Sequence, residues 1–135
     1  MVSINSHNLH FFCEGNGNIT FIFEAGIGAN YRDWSKLQPL LKENYTVCSY
    51  DRTGYGWSER GPKPRTVEVI TNELAIAIKK LTLKKPIIIV GHSFGGLITM
   101  MLSSTHDQLI SGIVLLDSMH PEQNIKFIEN GIDIP

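Results

Sequence analysis

The sequence lacks the features that mark membrane-spanning and secreted proteins. No apolar run approaches the roughly 18 residues that a membrane-spanning helix needs, and residues 1–15 have neither a basic start nor a continuous apolar stretch. Neither charge is in excess, because 12 Lys and Arg are balanced by 13 Asp and Glu. A net charge of -1 gives no electrostatic reason to expect nucleic acid or a membrane as a partner. We therefore expect a cytoplasmic protein that binds neither.

Cysteine is also scarce. Only Cys13 and Cys48 occur, both in strand-like stretches, and their spacing matches no metal-binding pattern. The sequence therefore predicts two buried free thiols in a reducing compartment, with no metal site and no cofactor. Cys48 is a poor candidate for a nucleophile, because neither a Gly-rich turn nor a neighbouring base surrounds it.

The pattern that is present is that of an α/β domain. The 135 residues, 42% hydrophobic and 19% charged, suffice for one domain with its own core. Short β-branched runs alternate with segments whose apolar residues recur at helical spacing. This alternation predicts an α/β fold with a mostly parallel sheet flanked by helices. We expect strands near residues 2–4, 9–13, 19–23, 45–50, 86–90 and 110–116, and helices near residues 33–42, 66–81 and 94–104.

The most informative motif is G-H-S-F-G at residues 91–95. It matches the pattern G-x-S-x-G and lies between a strand pattern and a helix pattern. Such a turn holds a serine hydroxyl out from the backbone, and its unusual angles require small residues two positions away on each side. Gly91 and Gly95 meet that requirement. Ser93 is therefore the candidate nucleophile, and the helix after it directs free N–H groups towards the place where an oxyanion would form.

Other polar or glycine-bearing segments also follow predicted strands. They are the glycine loop at residues 26–28, Asp51, Ser93 and Asp117. In open parallel sheets, ligands bind at the carboxyl ends of the strands. The convergence of these segments on strand ends predicts a functional site at that edge of the sheet.

Three motifs, in this order, resemble those of the N-terminal half of an α/β-hydrolase-fold serine hydrolase, up to the start of its cap. They are F-E-A-G-I-G at residues 23–28, D-R-T-G-Y-G-W-S at residues 51–58 and G-H-S-F-G-G at residues 91–96. The resemblance implies that Ser93 attacks the carbonyl of an ester or related acyl compound, a small molecule, and forms an acyl-enzyme. It also implies that the backbone N–H groups of Ile27 and Phe94 form the oxyanion hole.

One position departs from the resemblance. Many relatives have His-Gly where this chain has Ala25 and Gly26, preceded by Glu24. The oxyanion donor is a backbone group, so the hole does not depend on that histidine. We expect Glu24 to be hydrogen-bonded structure, Asp51 to accept N–H bonds within its own Gly-rich turn, and Arg52 to brace neighbouring loops.

The resemblance places the catalytic partners in the order Ser, then Asp or Glu, then His. Asp117 and His120 follow Ser93 in that order and are the candidate acid and base within the chain. Their three-residue spacing leaves Asp117 little freedom to orient an imidazole that also reaches Ser93. We therefore expect the acid and base beyond residue 135, and we expect His7 and His10 on the surface.

The resemblance to the α/β-hydrolase fold also implies how the chain is divided. Residues 1–118 are the N-terminal part of the core, and residues 119–135 are the start of a cap segment or a disordered tail. The sheet is then truncated after about the sixth strand, and the chain hydrolyses esters weakly or not at all. Two alternatives stay open. One is a non-catalytic remnant that binds a partner through an exposed sheet edge, and the other is a cofactor-free lyase or acyltransferase on the same scaffold.

Overall fold

The computed structural model describes residues 1–123 of the chain. These residues contain seven strands, three α-helices and two short 3-10 helices, joined by loops. The strands are β1 Val2–Ile4, β2 His7–Leu9, β3 Phe11–Glu14, β4 Thr20–Glu24, β5 Thr46–Tyr50, β6 Ile87–His92 and β7 Gly112–Leu116. The α-helices are α1 Gln38–Leu41, α2 Val67–Lys80 and α3 Phe94–Thr105, and the 3-10 helices are Tyr31–Trp34 and Asp107–Leu109.

Five of the strands form one sheet in the order β3-β5-β4-β6-β7, while β1 and β2 form a separate antiparallel hairpin. β3 runs antiparallel to β5, and the other neighbours in the sheet are parallel. The prediction of a mostly parallel sheet is therefore confirmed. The chain passes from β4 to β5 on one side and then to β6 on the other side of β4. The carboxyl ends of β4 and β6 thus form a topological switch point, where open α/β sheets bind ligands.

Helices cover both faces of this sheet. On one face, α2 and α3 pack through Leu74 and Ile98 against Ile89 of β6, and all three side chains are fully buried. On the other face, Trp34 stacks on Phe23 of β4 with 4.5 Å between the ring centroids. The apolar runs of β4 and β6 are thus buried from both sides, as expected for central parallel strands.

The helices follow the sequence pattern unevenly. α2 forms where its periodic apolar residues predict it, and the side chain of Thr66 caps it by accepting a hydrogen bond from the N–H of Val69 at 3.2 Å. The helix expected at residues 33–42 is divided instead. Its first part is the 3-10 helix Tyr31–Trp34, and α1 follows with Pro39 in its first turn, a position that proline favours.

The strand expected at residues 9–13 is divided at His10. The N–H of His10 donates to the hydroxyl of Ser58 at 2.8 Å, and its carbonyl accepts from the N–H of Asp51 at 3.0 Å. His10 is therefore bound to the loop after β5, and the chain passes there from the hairpin into the main sheet.

The prediction of free thiols is wrong, because Cys13 and Cys48 form a disulfide bond. The two residues lie directly opposite each other on β3 and β5, with 4.1 Å between their Cα atoms. They are 35 residues apart in the sequence. Strand register sets their pairing, and the spacing of two cysteines does not reveal register.

β7 ends the described sheet with an exposed strand. Its apolar residues from Ile113 to Leu116 are 36–42% exposed, although such a run in a parallel sheet is usually buried. The boundary between residues 118 and 119 stays a prediction. Most of the predicted cap segment or tail, residues 124–135, lies outside the described residues.

Candidate active site

The loops after β4, β5, β6 and β7 meet at one edge of the sheet, because these four strands are parallel. The predicted segments each follow one of the four strand ends, namely the glycine loop at residues 26–28 after β4, Asp51 after β5, Ser93 after β6 and Asp117 after β7. At the switch point, a Cβ placed on Gly26 would lie only 3.5 Å from the Cβ of Ser93. The structure thus brings the loop after β4 into contact with the turn after β6.

Ser93 occupies a strained turn between β6 and α3. Its backbone angles are φ 52° and ψ −121°, a combination that residues other than glycine rarely adopt. The predicted strand-to-helix turn is therefore confirmed. The flanking glycines provide the space, since a Cβ on Gly95 would lie 2.5 Å from the carbonyl oxygen of Ala25, and one on Gly91 would lie 2.6 Å from the carbonyl oxygen of Gly95.

The loop after β4 is a tight turn beside this serine. It is closed by a hydrogen bond from the N–H of Ala29 to the carbonyl oxygen of Gly26 at 3.3 Å, and Gly28 supplies a positive φ of 71°. Ile27 at its tip is 70% exposed, and it lines the same cavity as Phe94. The roles of Ile27 and Phe94 as oxyanion donors stay predictions.

A buried charged network lies behind the same loop. Glu24 is completely buried and accepts hydrogen bonds from the Tyr50 hydroxyl and from Nη1 of Arg52. Burial raises the pKa of the Glu24 carboxyl above its usual value, and the Arg52 charge opposes that shift. Burial and the nearby Glu24 together raise the pKa of Tyr50 well above its usual value. The structure agrees with a hydrogen-bonded Glu24, while nothing in the sequence pattern indicates Tyr50 as its partner.

Arg52 connects this network to the backbone of the loop. Nη1 donates to the carbonyl oxygen of Ala25 at 2.6 Å, and Nη2 donates to that of Gly26 at 2.5 Å. The guanidinium carbon also lies 5.5 Å from the centre of the Phe94 ring and 5.2 Å from that of Tyr55, within cation–π range. Arg52 therefore braces neighbouring loops, as expected.

Asp51 organises the loop after β5. Its buried carboxylate accepts N–H bonds from Trp57 at 3.0 Å, within the Gly-rich turn, and from Tyr31 at 2.8 Å. His10 adds a third contact, with Nδ1 at 2.9 Å from the carboxylate. The ring of His10 lies edge-on to Tyr31, at 4.8 Å between centroids. These contacts agree with a structural role for Asp51.

The histidines of the hairpin are less exposed than expected. His7 is buried, and its Nε2 lies 2.7 Å from the hydroxyl of Thr53. His10 is half-buried against Asp51. The expectation that both lie on the surface is wrong, because the hairpin packs over the loop that follows β5. Short-range patterns do not show such packing.

Asp117 and His120 are not joined to Ser93 by side-chain hydrogen bonds in residues 1–123. Nδ1 of His120 accepts the N–H of Glu122 at 3.1 Å within its own exposed turn. The segment reaches the serine through the backbone instead, since the N–H of Ser93 donates to the carbonyl of Leu116 at 3.2 Å. All five histidines of the chain lie in the described part, and none is hydrogen-bonded to the Ser93 hydroxyl.

A cavity of about 200 Å³ opens beside the two candidate oxyanion residues. Its lining is largely apolar, with two arginines at its wall. The lining residues are Ile27, Arg52, Thr53, Tyr55, Arg65, Ile70 and Phe94. Arg65 is paired with Glu73 at 2.5 Å, so the cavity does not present a free guanidinium from that residue.

Among residues 1–123, no group of three or more His, Cys, Asp or Glu side chains is placed to hold a metal ion. No helix there is long and apolar enough to cross a membrane.

The fold and this strained serine turn define a class of protein that comparison with known families also identifies. Residues 19–131 match the model of the alpha/beta hydrolase fold, so the chain belongs to that family. It is similar to YqjL, an uncharacterized protein of Bacillus subtilis, with 33% identity over 104 residues that cover 77% of this chain and 41% of YqjL.

Solved structures share the same fold. The enol-lactonase from Burkholderia xenovorans LB400 superimposes with a TM-score of 0.78 at 24% identity, over 85% of this chain and 45% of that chain. A laboratory-evolved variant of potato epoxide hydrolase gives a TM-score of 0.83 at 23% identity, over 93% and 41%. Curated relatives such as YqjL are longer proteins. The matches cover most of this chain but less than half the length of these relatives.

Proposed function

We propose that this chain carries the nucleophile and the oxyanion hole of a serine hydrolase that cleaves esters or related acyl compounds. The observation that carries the proposal is the strained conformation of Ser93 at the switch point, in contact with the loop that contains Ile27. Strain of this kind concentrates at functional sites. Hydrolases among the fold neighbours are consistent with the reaction class, and the serine favours an acyl-enzyme.

The chemistry follows from the position of the hydroxyl. Oγ of Ser93 adds to the acyl carbonyl carbon, and the carbonyl oxygen becomes an oxyanion stabilised by the N–H groups of Ile27 and Phe94. Collapse of this intermediate expels the alcohol and leaves an acyl-serine, which water then hydrolyses. A base must accept the Ser93 proton, and none of the five histidines is hydrogen-bonded to that hydroxyl. The proposal therefore assigns to this chain the nucleophile and the two donors.

The cavity beside Ile27 and Phe94 favours an apolar acyl group. At about 200 Å³, with Ile70 and Tyr55 in its wall, it offers apolar contact next to the proposed oxyanion donors. A small-molecule acyl substrate with a short hydrocarbon chain fits this setting.

The test is active-site labelling of the purified chain with a fluorophosphonate, followed by peptide mapping. We expect an adduct on Ser93 that forms slowly, because no histidine among the described residues is hydrogen-bonded to its hydroxyl, and none in Ser93→Ala. Ser103→Ala is the matched control, because Ser103 lies in α3, the helix that follows Ser93, and its hydroxyl donates to the carbonyl oxygen of Met100 at 2.8 Å. An adduct spread over several serines, or equal labelling of Ser93→Ala, would contradict the proposal.

A binding function without catalysis is the second candidate, and the exposed apolar strand β7 favours it. A lyase or acyltransferase would also use the Ser93 turn. Labelling at Ser93 would contradict a binding function without catalysis, but it would not separate the three reaction types. Product analysis with a thioester or ester separates hydrolysis from acyl transfer.

A cytoplasmic location stays a prediction. The disulfide bond argues against it, since disulfides are rare in reducing compartments.

A further inference from the structure

Arg52 contacts one peptide group of special importance to the proposed site. Its Nη2 donates to the carbonyl oxygen of Gly26 at 2.5 Å. That carbonyl belongs to the same peptide group as the N–H of Ile27, the proposed oxyanion donor. In a trans peptide, the C=O and the N–H point in opposite directions within one plane. The cation that binds the oxygen therefore fixes the direction of the N–H.

The same contact affects the strength of the donor. A charged donor on a carbonyl oxygen polarises the amide, and hydrogen bonds in such a chain strengthen one another. The N–H of Ile27 is thus a stronger donor with Arg52 bound to the other end of the peptide than without it. The N–H of Ala29 also donates to this oxygen, at 3.3 Å, so the peptide plane is held by two donors.

The surroundings of Arg52 keep it in this position. The side chain of Arg52 is 4% exposed, and Glu24 neutralises it from the sheet side. Nη1 binds the carbonyl of Ala25 at 2.6 Å, and the guanidinium stands over the ring of Phe94, the residue that carries the second proposed donor. One buried cation therefore contacts both halves of the proposed oxyanion hole.

We propose that Arg52 is a positioning residue that orients and polarises the Gly26–Ile27 peptide for oxyanion binding, with Glu24 holding the guanidinium in place. The proposal deepens the function proposed above and rests on it for its catalytic consequence. A merely structural Arg52 would stabilise the loop without any specific effect on the Ile27 amide.

Selective isotope labelling reports on that amide directly. With ¹³C at the glycine carbonyl and ¹⁵N in isoleucine, an HNCO spectrum shows only Gly-Ile pairs. The sequence has three of them, at residues 26–27, 112–113 and 131–132. The pair at residues 112–113 begins β7, and among residues 1–123, apart from Gly112 and its two chain neighbours, no heavy atom lies within 4 Å of a Cβ placed on Gly112. Its signal is the internal reference, assigned by its loss in Ile113→Val.

The main variant is Glu24→Gln/Arg52→Met, which removes both buried charges together. We expect the Gly26 carbonyl and Ile27 amide signals to move upfield, while the pair at residues 112–113 stays in place. Arg52→Lys keeps the charge but cannot donate to both carbonyls as a guanidinium does, so its shift is intermediate. Glu14→Gln/Lys42→Met is the matched control, because it removes another ion pair, at 2.7 Å, between Glu14 of the outer strand β3 and Lys42 at the end of α1, and it leaves the Ile27 signal unchanged.

Reactivity tests the catalytic consequence. We expect the rate of fluorophosphonate labelling at Ser93 to fall about 10- to 100-fold in the main variant, somewhat less than the loss of an oxyanion donor causes, and to recover in part in Arg52→Lys. If neither the original chain nor any variant reacts at Ser93 but the Ile27 signals move as expected, the proposed function fails. The effect of Arg52 on the Gly26–Ile27 peptide would then still hold. If Ser93 reacts equally fast in all variants, the positioning role fails and the proposed function stands.

Two other results would overturn the positioning role. One is that Arg52→Lys or the main variant folds but its Ile27 signal does not move, or moves only together with the signal of the reference pair at residues 112–113. The other is loss of the fold in Arg52→Lys as well as in the main variant, which would assign Arg52 to the fold alone.

Discussion

The strained turn at Ser93 fits between β6 and α3 because Gly91 and Gly95, two positions away on each side, have no side chains. Gly95, the second residue of α3, packs against the carbonyl oxygens of Glu24 and Ala25, which belong to the end of β4 and to the loop after it. The spacing between the serine turn and the candidate oxyanion loop is therefore set by a glycine. A side chain at this position would separate the two halves of the site.

Gly95→Ala tests this contact. Alanine normally stabilises a helix by about 0.5–1 kcal/mol relative to glycine, but here we expect a net loss of about 2 kcal/mol in the free energy of unfolding, since the neighbouring atoms are backbone. Gly112→Ala in β7 is the control and should stay within about 0.5 kcal/mol of the original chain. Urea unfolding measures both. A Gly95→Ala chain as stable as the original would contradict the proposed packing.

Asp51 is a second single residue on which the structure depends, and we expect it to affect stability more than reactivity. Asp51→Ala leaves the N–H groups of Tyr31 and Trp57 without their acceptor, so we expect the free energy of unfolding to fall by about 3 kcal/mol. Labelling of Ser93 should change by only a few-fold. The exposed Asp107→Ala is the control for loss of one carboxylate. A large loss of labelling with unchanged stability would instead place Asp51 in the catalytic machinery.

At the scale of secondary structure, local patterns predicted the elements that depend on local signals. α2 formed over its periodic apolar stripe, and β4 and β6 formed over their apolar runs. The nucleophile turn was also predictable, because its requirement for glycine lies within five residues. Pairings between distant strands were not predictable, since they depend on register. The Cys13–Cys48 bond and the contact of Tyr50 with Glu24 both belong to this second group.

The disulfide ties the outer strand β3 to β5. It closes a loop with a sequence separation of 35 residues, so its reduction should lower the free energy of unfolding by about 3–4 kcal/mol through the greater entropy of the unfolded chain. Urea unfolding with and without a phosphine reductant measures this difference. Cys13→Ala/Cys48→Ala should not respond to the reductant. Equal stability of the original chain in both conditions would show that the bond does not constrain the fold.

At the scale of the whole molecule, the switch point joins the fold to the proposed chemistry. The reversal of strand order puts the ends of β4 and β6 side by side, so one loop carries a candidate donor and the other the candidate nucleophile. The family relationship is consistent with this arrangement. The proton acceptor is the component that the described residues do not place at Ser93.

Slow turnover should follow from this arrangement. An oxyanion hole and substrate binding without an assembled triad retain about 10³–10⁴-fold over water, compared with about 10⁶-fold or more for typical enzymes. We therefore expect the purified chain to hydrolyse a p-nitrophenyl ester weakly, with Ser93→Ala removing the residual activity and His120→Ala leaving it unchanged. Robust turnover that both substitutions abolish would instead establish His120 as the base.

A crystal structure of the chain with a phosphonate bound covalently to Ser93 tests the proposed oxyanion hole directly. We predict that the phosphoryl oxygen lies within roughly 2.7–3.1 Å of the backbone nitrogens of both Ile27 and Phe94. A phosphoryl oxygen that points away from either nitrogen, or an adduct on another residue, would contradict it.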